Sequence, residues 1–122
     1  MAGWYFDPQS GGQDIPPMVQ EQIRDRLLRY VERSRLKRKW QLVIRFQKQF
    51  CYLDALEPDS AIPTYLCRLR YFGQERWSLA FYTYSNERYQ PCVLNSGQWY
   101  GSVEEGFETS AVYSQAAKGM VS

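Results

Sequence analysis

The side chains that this chain lacks limit the chemistry that it can do. Its 122 residues include no histidine, the commonest general base and metal ligand in proteins. A Ser-His-Asp or Cys-His arrangement within the chain is therefore excluded. Tyrosine, lysine and cysteine can still do acid–base or nucleophilic work, so an enzyme of that kind remains the third interpretation. No catalytic residue is assigned, and the balance favours a protein that is not an enzyme.

The cysteines are few and widely spaced. Cys51, Cys67 and Cys92 form no C-x-x-C pair, and there is no histidine to complete a tetrahedral zinc site. We therefore expect three buried, reduced thiols in a cytoplasmic protein, and neither a metal site nor a bound cofactor.

Two other groups of residues are weak candidates for ligand binding. Asp54, Glu57 and Asp59 place three carboxylates near one predicted loop, but they lack the spacing and the glycine of an EF-hand. We interpret them as a solvated acidic loop. The Gly11-Gly12 pair and Gly97 lack the glycine spacing of a phosphate-binding loop, which removes the usual nucleotide motifs.

Charge is distributed unevenly along the chain. The segment from Arg24 to Lys48 carries ten basic and two acidic residues, a local charge of +8 in a chain whose net charge is +2. Such a basic patch attracts phosphate backbones, anionic membranes or acidic protein surfaces. The alternatives are a solvated loop or neutralisation by the acidic carboxyl-terminal half. The candidate binding residues of this patch are Arg35, Lys37, Arg38 and Lys39.

The hydrophobic pattern predicts which elements position these residues. Apolar residues at spacings of three and four predict a helix from Pro17 to about Ser34. Alternation with a period of two then predicts five strands and a short sixth piece. A capping box between Ser102 and Glu105 opens a second helix. The predicted strands are Gln41–Gln47, Phe50–Ala55, Thr64–Phe72, Trp77–Tyr84, Arg88–Leu94 and the piece Trp99-Tyr100.

This order of elements indicates an α+β domain. We predict an antiparallel meander of about five strands, with an amino-terminal and a carboxyl-terminal helix packed on one face. Pro91 favours an edge position for the fifth strand. Residues 1–16 are interpreted as an irregular arm, residues 17–115 as the domain and residues 116–122 as a frayed tail. No apolar run is long enough to span a membrane, and no secretory signal is visible.

Alternation along the strands also predicts a polar sheet face. Arginine and tyrosine side chains gather there, and both types are enriched as anchors of protein interfaces and as contacts to nucleic acids. The alternative is a solvated face stabilised by cross-strand Arg–Tyr pairs. The candidate binding residues of this face are Arg45, Arg68, Arg70, Tyr82 and Tyr84.

An aromatic cluster interrupts the amino-terminal arm. Trp4, Tyr5 and Phe6 stand among glycine and proline residues that predict no regular structure. They form either a short motif that inserts into a partner or a segment that docks on the surface of its own domain.

Several segments together resemble a family of short prokaryotic proteins of unknown function. They are Ile15 to Leu27, RFQKQFCYLDA (Arg45 to Ala55), PTYLCRLRYFG (Pro63 to Gly73), RWSLAFYTYSNERYQPCV (Arg76 to Val93) and GSVEEGFE (Gly101 to Glu108). The resemblance extends to about Tyr113 and implies a bacterial, cytosolic, free-standing domain. It carries over no site residue, and it implies a longer loop before Pro63 in the relatives than in this chain.

Together these observations favour a non-enzymatic protein-interaction module. It would bind a partner protein, or a second copy of itself, through the Arg/Tyr sheet face and the aromatic arm. The alternative is a nucleic-acid-binding protein that uses residues 24–48. The interaction-module hypothesis rests on the missing histidine, the polarised charge and the tyrosines that have no role in the core.

Overall fold

The computed structural model describes residues 10–33 and 40–111. Some of the predictions lie outside the described residues. These are the aromatic cluster Trp4, Tyr5 and Phe6, the basic patch Arg35, Lys37, Arg38 and Lys39, and the tail 116–122.

The predicted succession of a helix, strands and a second helix is observed. Each predicted strand is present, and its ends agree with the prediction to within two residues. The elements are α1 (Pro17–Arg33), β1 (Gln41–Gln47), β2 (Phe50–Leu56), β3 (Thr64–Tyr71), β4 (Trp77–Thr83), β5 (Arg88–Cys92), β6 (Tyr100–Gly101) and α2 (residues 103–111).

The strands form one antiparallel sheet whose first five members follow one another as a meander. The short β6 pairs with β4, where Ser78 lies opposite Tyr100. The α+β prediction with an antiparallel sheet is therefore confirmed. Pro91 lies in β5, the last strand of the order, which suits a residue with no N–H to donate to a further strand.

Alternate residues of the strands form the hydrophobic core together with the helices. The stripe of α1 and the apolar residues of α2 belong to the same buried cluster. Its members include Ile23, Leu27, Val31, Leu42, Ile44, Cys51, Leu53, Cys67, Leu69, Trp77, Leu79, Val103, Phe107 and Ala111. Gly106 of α2 lies so close to Leu69 that a Cβ atom at this glycine would stand 2.4 Å from the leucine Cδ2. These contacts favour packing of both helices on one face, which stays a prediction.

The predicted capping box at the start of α2 is confirmed. The Glu105 N–H donates to Ser102 Oγ at 3.2 Å, and the Ser102 N–H donates to Glu105 Oε1 at 3.1 Å. Each bond satisfies a backbone donor that the first turn of a helix leaves without a partner inside the helix. The box therefore fixes the residue at which α2 begins.

Substitution Ser102→Ala is expected to lower the free energy of unfolding by about 1 kcal/mol, because it removes the acceptor of the Glu105 N–H. Chemical denaturation of the variant measures the loss. The matched control is Ser85→Ala in the exposed β4–β5 turn, which should change stability by less than about 0.5 kcal/mol. Equal losses in the two variants would show that the box contributes nothing specific.

Candidate functional site

The predicted arginines lie together on the face of the sheet opposite to the hydrophobic core. Arg45 lies opposite Tyr52, which lies opposite Arg68 on its other side, while Arg70 lies opposite Phe50. Three neighbouring strands thus contribute one basic and aromatic surface. We call it the Arg–Tyr face. Its members are Arg45, Phe50, Tyr52, Asp54, Tyr65, Arg68, Arg70, Tyr82, Tyr84 and Tyr89.

The guanidinium groups of this face lie over aromatic rings. The Arg68 guanidinium carbon is 4.5 Å from the ring centre of Phe50 and 5.1 Å from that of Tyr89. The Arg70 guanidinium shares the Phe50 ring at 4.7 Å, and its Nη1 donates to the carbonyl oxygen of Gly11 at 2.8 Å. Cation–π contacts of this kind hold the arginine planes in place and are worth about 0.5–1 kcal/mol each at exposed sites.

Arg45 forms an ion pair with a buried carboxylate. Its Nε lies 2.7 Å from Asp54 Oδ2, and the Asp54 side chain is only 1% exposed. This hydrogen bond raises the pKa of Arg45 against the opposing effect of burial. The interpretation of Asp54 as part of a solvated acidic loop is therefore wrong. The residue lies inside β2, between β1 and β3, and a carboxylate buried to this degree needs a cationic partner.

Tyrosine rings cluster at the end of the face where β3 begins. Tyr82 contacts Tyr65, Tyr84 and Tyr89 with ring centres 4.7–5.1 Å apart and planes inclined by 68–73°. The Tyr84 hydroxyl also accepts the Tyr65 N–H at 2.8 Å. Tyr84 remains 55% exposed, and nearby Ile62, just before β3, is 74% exposed. This end of the face therefore presents aromatic and aliphatic surface to the solvent.

All five residues predicted for the sheet face lie on the Arg–Tyr face, Tyr84 just beyond the end of β4. The sequence reasoning missed its other five members. Four could have been predicted from alternation. Phe50, Tyr52 and Asp54 alternate with the apolar residues of β2, and Tyr89 is three residues from the buried Cys92 in β5, so the two side chains lie on opposite faces of the sheet. No such signal marked Tyr65, because the register shifts between Leu53 and Asp54 where β2 pairs with β3.

The described part of the basic segment is partly neutralised within the molecule. Arg26 of α1 forms ion pairs with Glu75 and Glu104, and these hydrogen bonds raise its pKa above the usual value. Burial acts to raise the pKa of Glu104, but the pKa is lowered in total by the hydrogen bonds and charge of Arg26 together with hydrogen bonds from the backbone and from Ser102. With the Arg45–Asp54 pair, two basic side chains of residues 24–48 are matched by acidic residues from later in the sequence.

The three thiols are buried and free, as expected. Burial raises the pKa of Cys67 to about 12, although a hydrogen bond from Ser110 acts to lower it, and raises that of Cys92 to about 11. The pKa of Cys51 is raised as well, chiefly by burial. None of them is an activated nucleophile, because catalysis by cysteine needs an accessible thiolate.

These thiols should make the protein less stable at alkaline pH. Between about pH 9 and 11 the unfolded chain loses thiol protons that the folded chain retains, so the free energy of unfolding falls as the pH rises. Below about pH 8 both states keep the protons and this contribution vanishes. Urea denaturation from pH 7 to 10 measures the slope. A Cys67→Ala variant should show a shallower slope, and an unchanged slope would contradict the assignment.

The described residues offer little else for chemistry. Within residues 10–33 and 40–111 no group of three or more acidic, cysteine or histidine side chains could hold a metal ion. A cleft beside the β3–β4 turn, lined by Gln13, Phe72 and Arg76 among others, contains no carboxylate, thiol or lysine. No helix in the same part of the chain is long and apolar enough to cross a bilayer.

The Arg–Tyr face is thus the candidate site that the geometry offers. Comparison of the chain with family models, with curated proteins and with solved structures finds no match. The resemblance to a family of short prokaryotic proteins stays a prediction.

Proposed function

We propose that this chain is a non-enzymatic protein-interaction module that binds a partner protein through the Arg–Tyr face. The observation that carries the proposal is the alignment of three arginines of β1 and β3 on the two sides of β2, held over aromatic rings and bordered by exposed tyrosines. Arginine and tyrosine are the side chains most enriched, with tryptophan, among the residues that dominate binding energy in protein interfaces. Rigid, stacked side chains also lose little conformational entropy on binding.

The contacts within the face favour a protein partner over a nucleic acid. Proteins that bind single-stranded nucleic acids offer ring faces on which bases stack. Here the Phe50 ring already contacts the guanidinium groups of Arg68 and Arg70, and Tyr82 is packed against the edges or faces of three tyrosines. Tyr65 and Tyr84, 40% and 55% exposed, border the face and each offer a ring together with a hydroxyl group, a combination that is enriched in protein interfaces.

The test compares affinity capture by the wild-type chain and by the Arg68→Glu/Arg70→Glu variant, both from lysate treated with nuclease. We expect the variant to lose the proteins that the wild type captures. Two guanidinium groups of the face are replaced by carboxylates, which repel acidic groups of a partner. The matched control is Arg29→Glu/Arg33→Glu, which makes the same change of charge on exposed positions of α1. This control should capture the same proteins as the wild type.

A second variant guards against loss of the fold. Tyr84→Ala removes a half-exposed ring at the rim of the face, and circular dichroism should show a native spectrum for it and for the double variant. Capture that is unchanged in both folded variants would overturn the proposal. The wild-type chain is also used for capture from untreated lysate. Partners that are captured only there, with binding that weakens steeply with salt, would instead make the chain a nucleic-acid-binding protein, because each neutralised phosphate releases counterions.

A further inference from the structure

Residues 10–16, which precede α1, are held against the sheet by backbone hydrogen bonds. Ile15 is buried in the hydrophobic core, and its N–H donates to the carbonyl of Lys48 at 2.9 Å. Two residues earlier, the Gln13 N–H donates to the carbonyl of Tyr71 at 2.8 Å. The segment before α1 is thus fastened to the β1–β2 turn and to the end of β3, although it forms neither helix nor strand.

The same path continues from the core onto the Arg–Tyr face. Arg70 Nη1 donates to the Gly11 carbonyl at 2.8 Å. A Cβ atom at Gly12 would lie 3.2 Å from Arg70 Cγ and 2.9 Å from the Tyr71 carbonyl oxygen. The φ angles of Gly11 and Gly12 are +79° and +100°, values that favour glycine over every other residue. Glycine at these two positions therefore allows the backbone to turn while it lies in contact with the Arg70 side chain.

Nine residues precede Ser10 in the sequence, and Gly11, which follows it, contacts Arg70 at this edge of the face. Measured from Gly11, an extended chain spans about 14 Å to Asp7 and about 24 Å to Trp4. Arg68 lies two residues from Arg70 along β3, about 7 Å away, and Arg45 lies two strands away, at about 12 Å. The three arginines are therefore within reach of residues 4–7. The segment carries Trp4, Tyr5 and Phe6, followed by Asp7.

The chemistry of this segment complements the face. Tryptophan, tyrosine and phenylalanine rings attract guanidinium groups, tryptophan most strongly. The face holds three arginines and one carboxylate, Asp54, so it has an excess of positive charge that suits Asp7. Because a short tether gives an effective concentration of about 1 mM, even a contact of millimolar affinity is formed about half of the time.

We infer that residues 4–7 of the chain are the built-in occupant of the Arg–Tyr face, bound in the same molecule with their rings against the arginines. The partner then presents similar chemistry, an aromatic peptide with an acidic residue, and displaces this segment when it binds. The second statement rests on the proposed function, whereas the docking of the segment does not.

Paramagnetic relaxation enhancement on the chain of residues 1–122 tests the docking without any partner. A nitroxide is attached to an Ala2→Cys variant, since the three native thiols are buried and protonated. We expect the amide signals of Tyr82 and Tyr89 to lose about half of their intensity or more. The signals of Glu21 and Arg29, exposed on α1, should be nearly unaffected.

The matched control carries the same label and the substitutions Trp4→Ala, Tyr5→Ala and Phe6→Ala, and it should lose the broadening at Tyr82 and Tyr89. Broadening of equal size on the face and on α1, or broadening that the control retains, would overturn the inference. So would broadening of unlabelled, isotope-enriched chains mixed with labelled ones, which would make a second copy the occupant. Because no partner is present, failure here leaves the capture experiment unaffected, and failure of capture leaves the docking unaffected.

Discussion

Substitution Arg45→Met is expected to lower the free energy of unfolding by about 3–5 kcal/mol, because it leaves a buried carboxylate without its cation. Asp54 is 1% exposed, and Arg45 Nε lies 2.7 Å from its Oδ2. Methionine replaces the apolar stem of arginine by one of similar length, so the packing of the stem changes little. Urea denaturation at pH 7 measures the change.

Removal of the carboxylate instead of the cation should lower the free energy of unfolding much less. Asp54→Leu leaves the Arg45 side chain, which is 46% exposed and can be solvated by water. The double variant Arg45→Met/Asp54→Leu removes both charges, and we expect it to recover most of the stability that Arg45→Met loses. The difference between the double variant and the sum of the single variants gives the coupling energy. A double variant as unstable as that sum would show that the two side chains do not act as a pair.

The prediction of the fold from the sequence succeeded where local patterns dominate. In β1, Leu42 and Ile44 alternate with Val43 and Arg45, and the burial of the strand follows this alternation. The two-residue connection Lys48-Gln49 then forces an antiparallel pair. The capping box at Ser102 was equally local, because its two partners are three residues apart. Such signals do not depend on which strand lies beside which.

The Arg–Tyr face was predicted only in part, because its chemistry depends on pairs of residues from different strands. Alternation within the predicted strands placed Arg68, Arg70 and Tyr82 on one face. The contacts of Arg68 with Phe50 and Tyr89 follow from three registers, those of β2 against β3, of β3 against β4 and of β4 against β5. The sequence alone does not specify these registers.

Asp54 shows why the remaining part of the site was missed. The predicted strand Phe50–Ala55 contains Asp54, but the neighbouring Glu57 and Asp59 favoured its interpretation as one of three solvated carboxylates. In the structure β2 extends to Leu56, and Asp54 lies across from Tyr65 at the irregularity in the β2–β3 pairing. Its burial is compensated by Arg45, nine residues earlier in the sequence. The partner of a buried charge is a tertiary property, which the spacing of residue types does not reveal.

The second large effect is expected at the contact between α2 and the sheet. Leu69→Ala should lower the free energy of unfolding by about 2–5 kcal/mol, because Leu69 is fully buried and its removal leaves a cavity. Gly106→Ala should also destabilise, since the new Cβ would stand 2.4 Å from Leu69 Cδ2. The overpacking penalty of about 1–3 kcal/mol exceeds the gain of about 1 kcal/mol in helix propensity.

Combining the two substitutions separates packing from other causes. In Gly106→Ala/Leu69→Ala the added methyl group enters space that the leucine side chain has vacated, so the overpacking penalty disappears and the helix-propensity gain remains. The double variant should therefore be more stable than Leu69→Ala alone, although Gly106→Ala destabilises the wild type. Thermal and urea denaturation of the four proteins measure this reversal of sign. If Gly106→Ala destabilises the wild type and the Leu69→Ala variant equally, the strain does not come from the contact with Leu69.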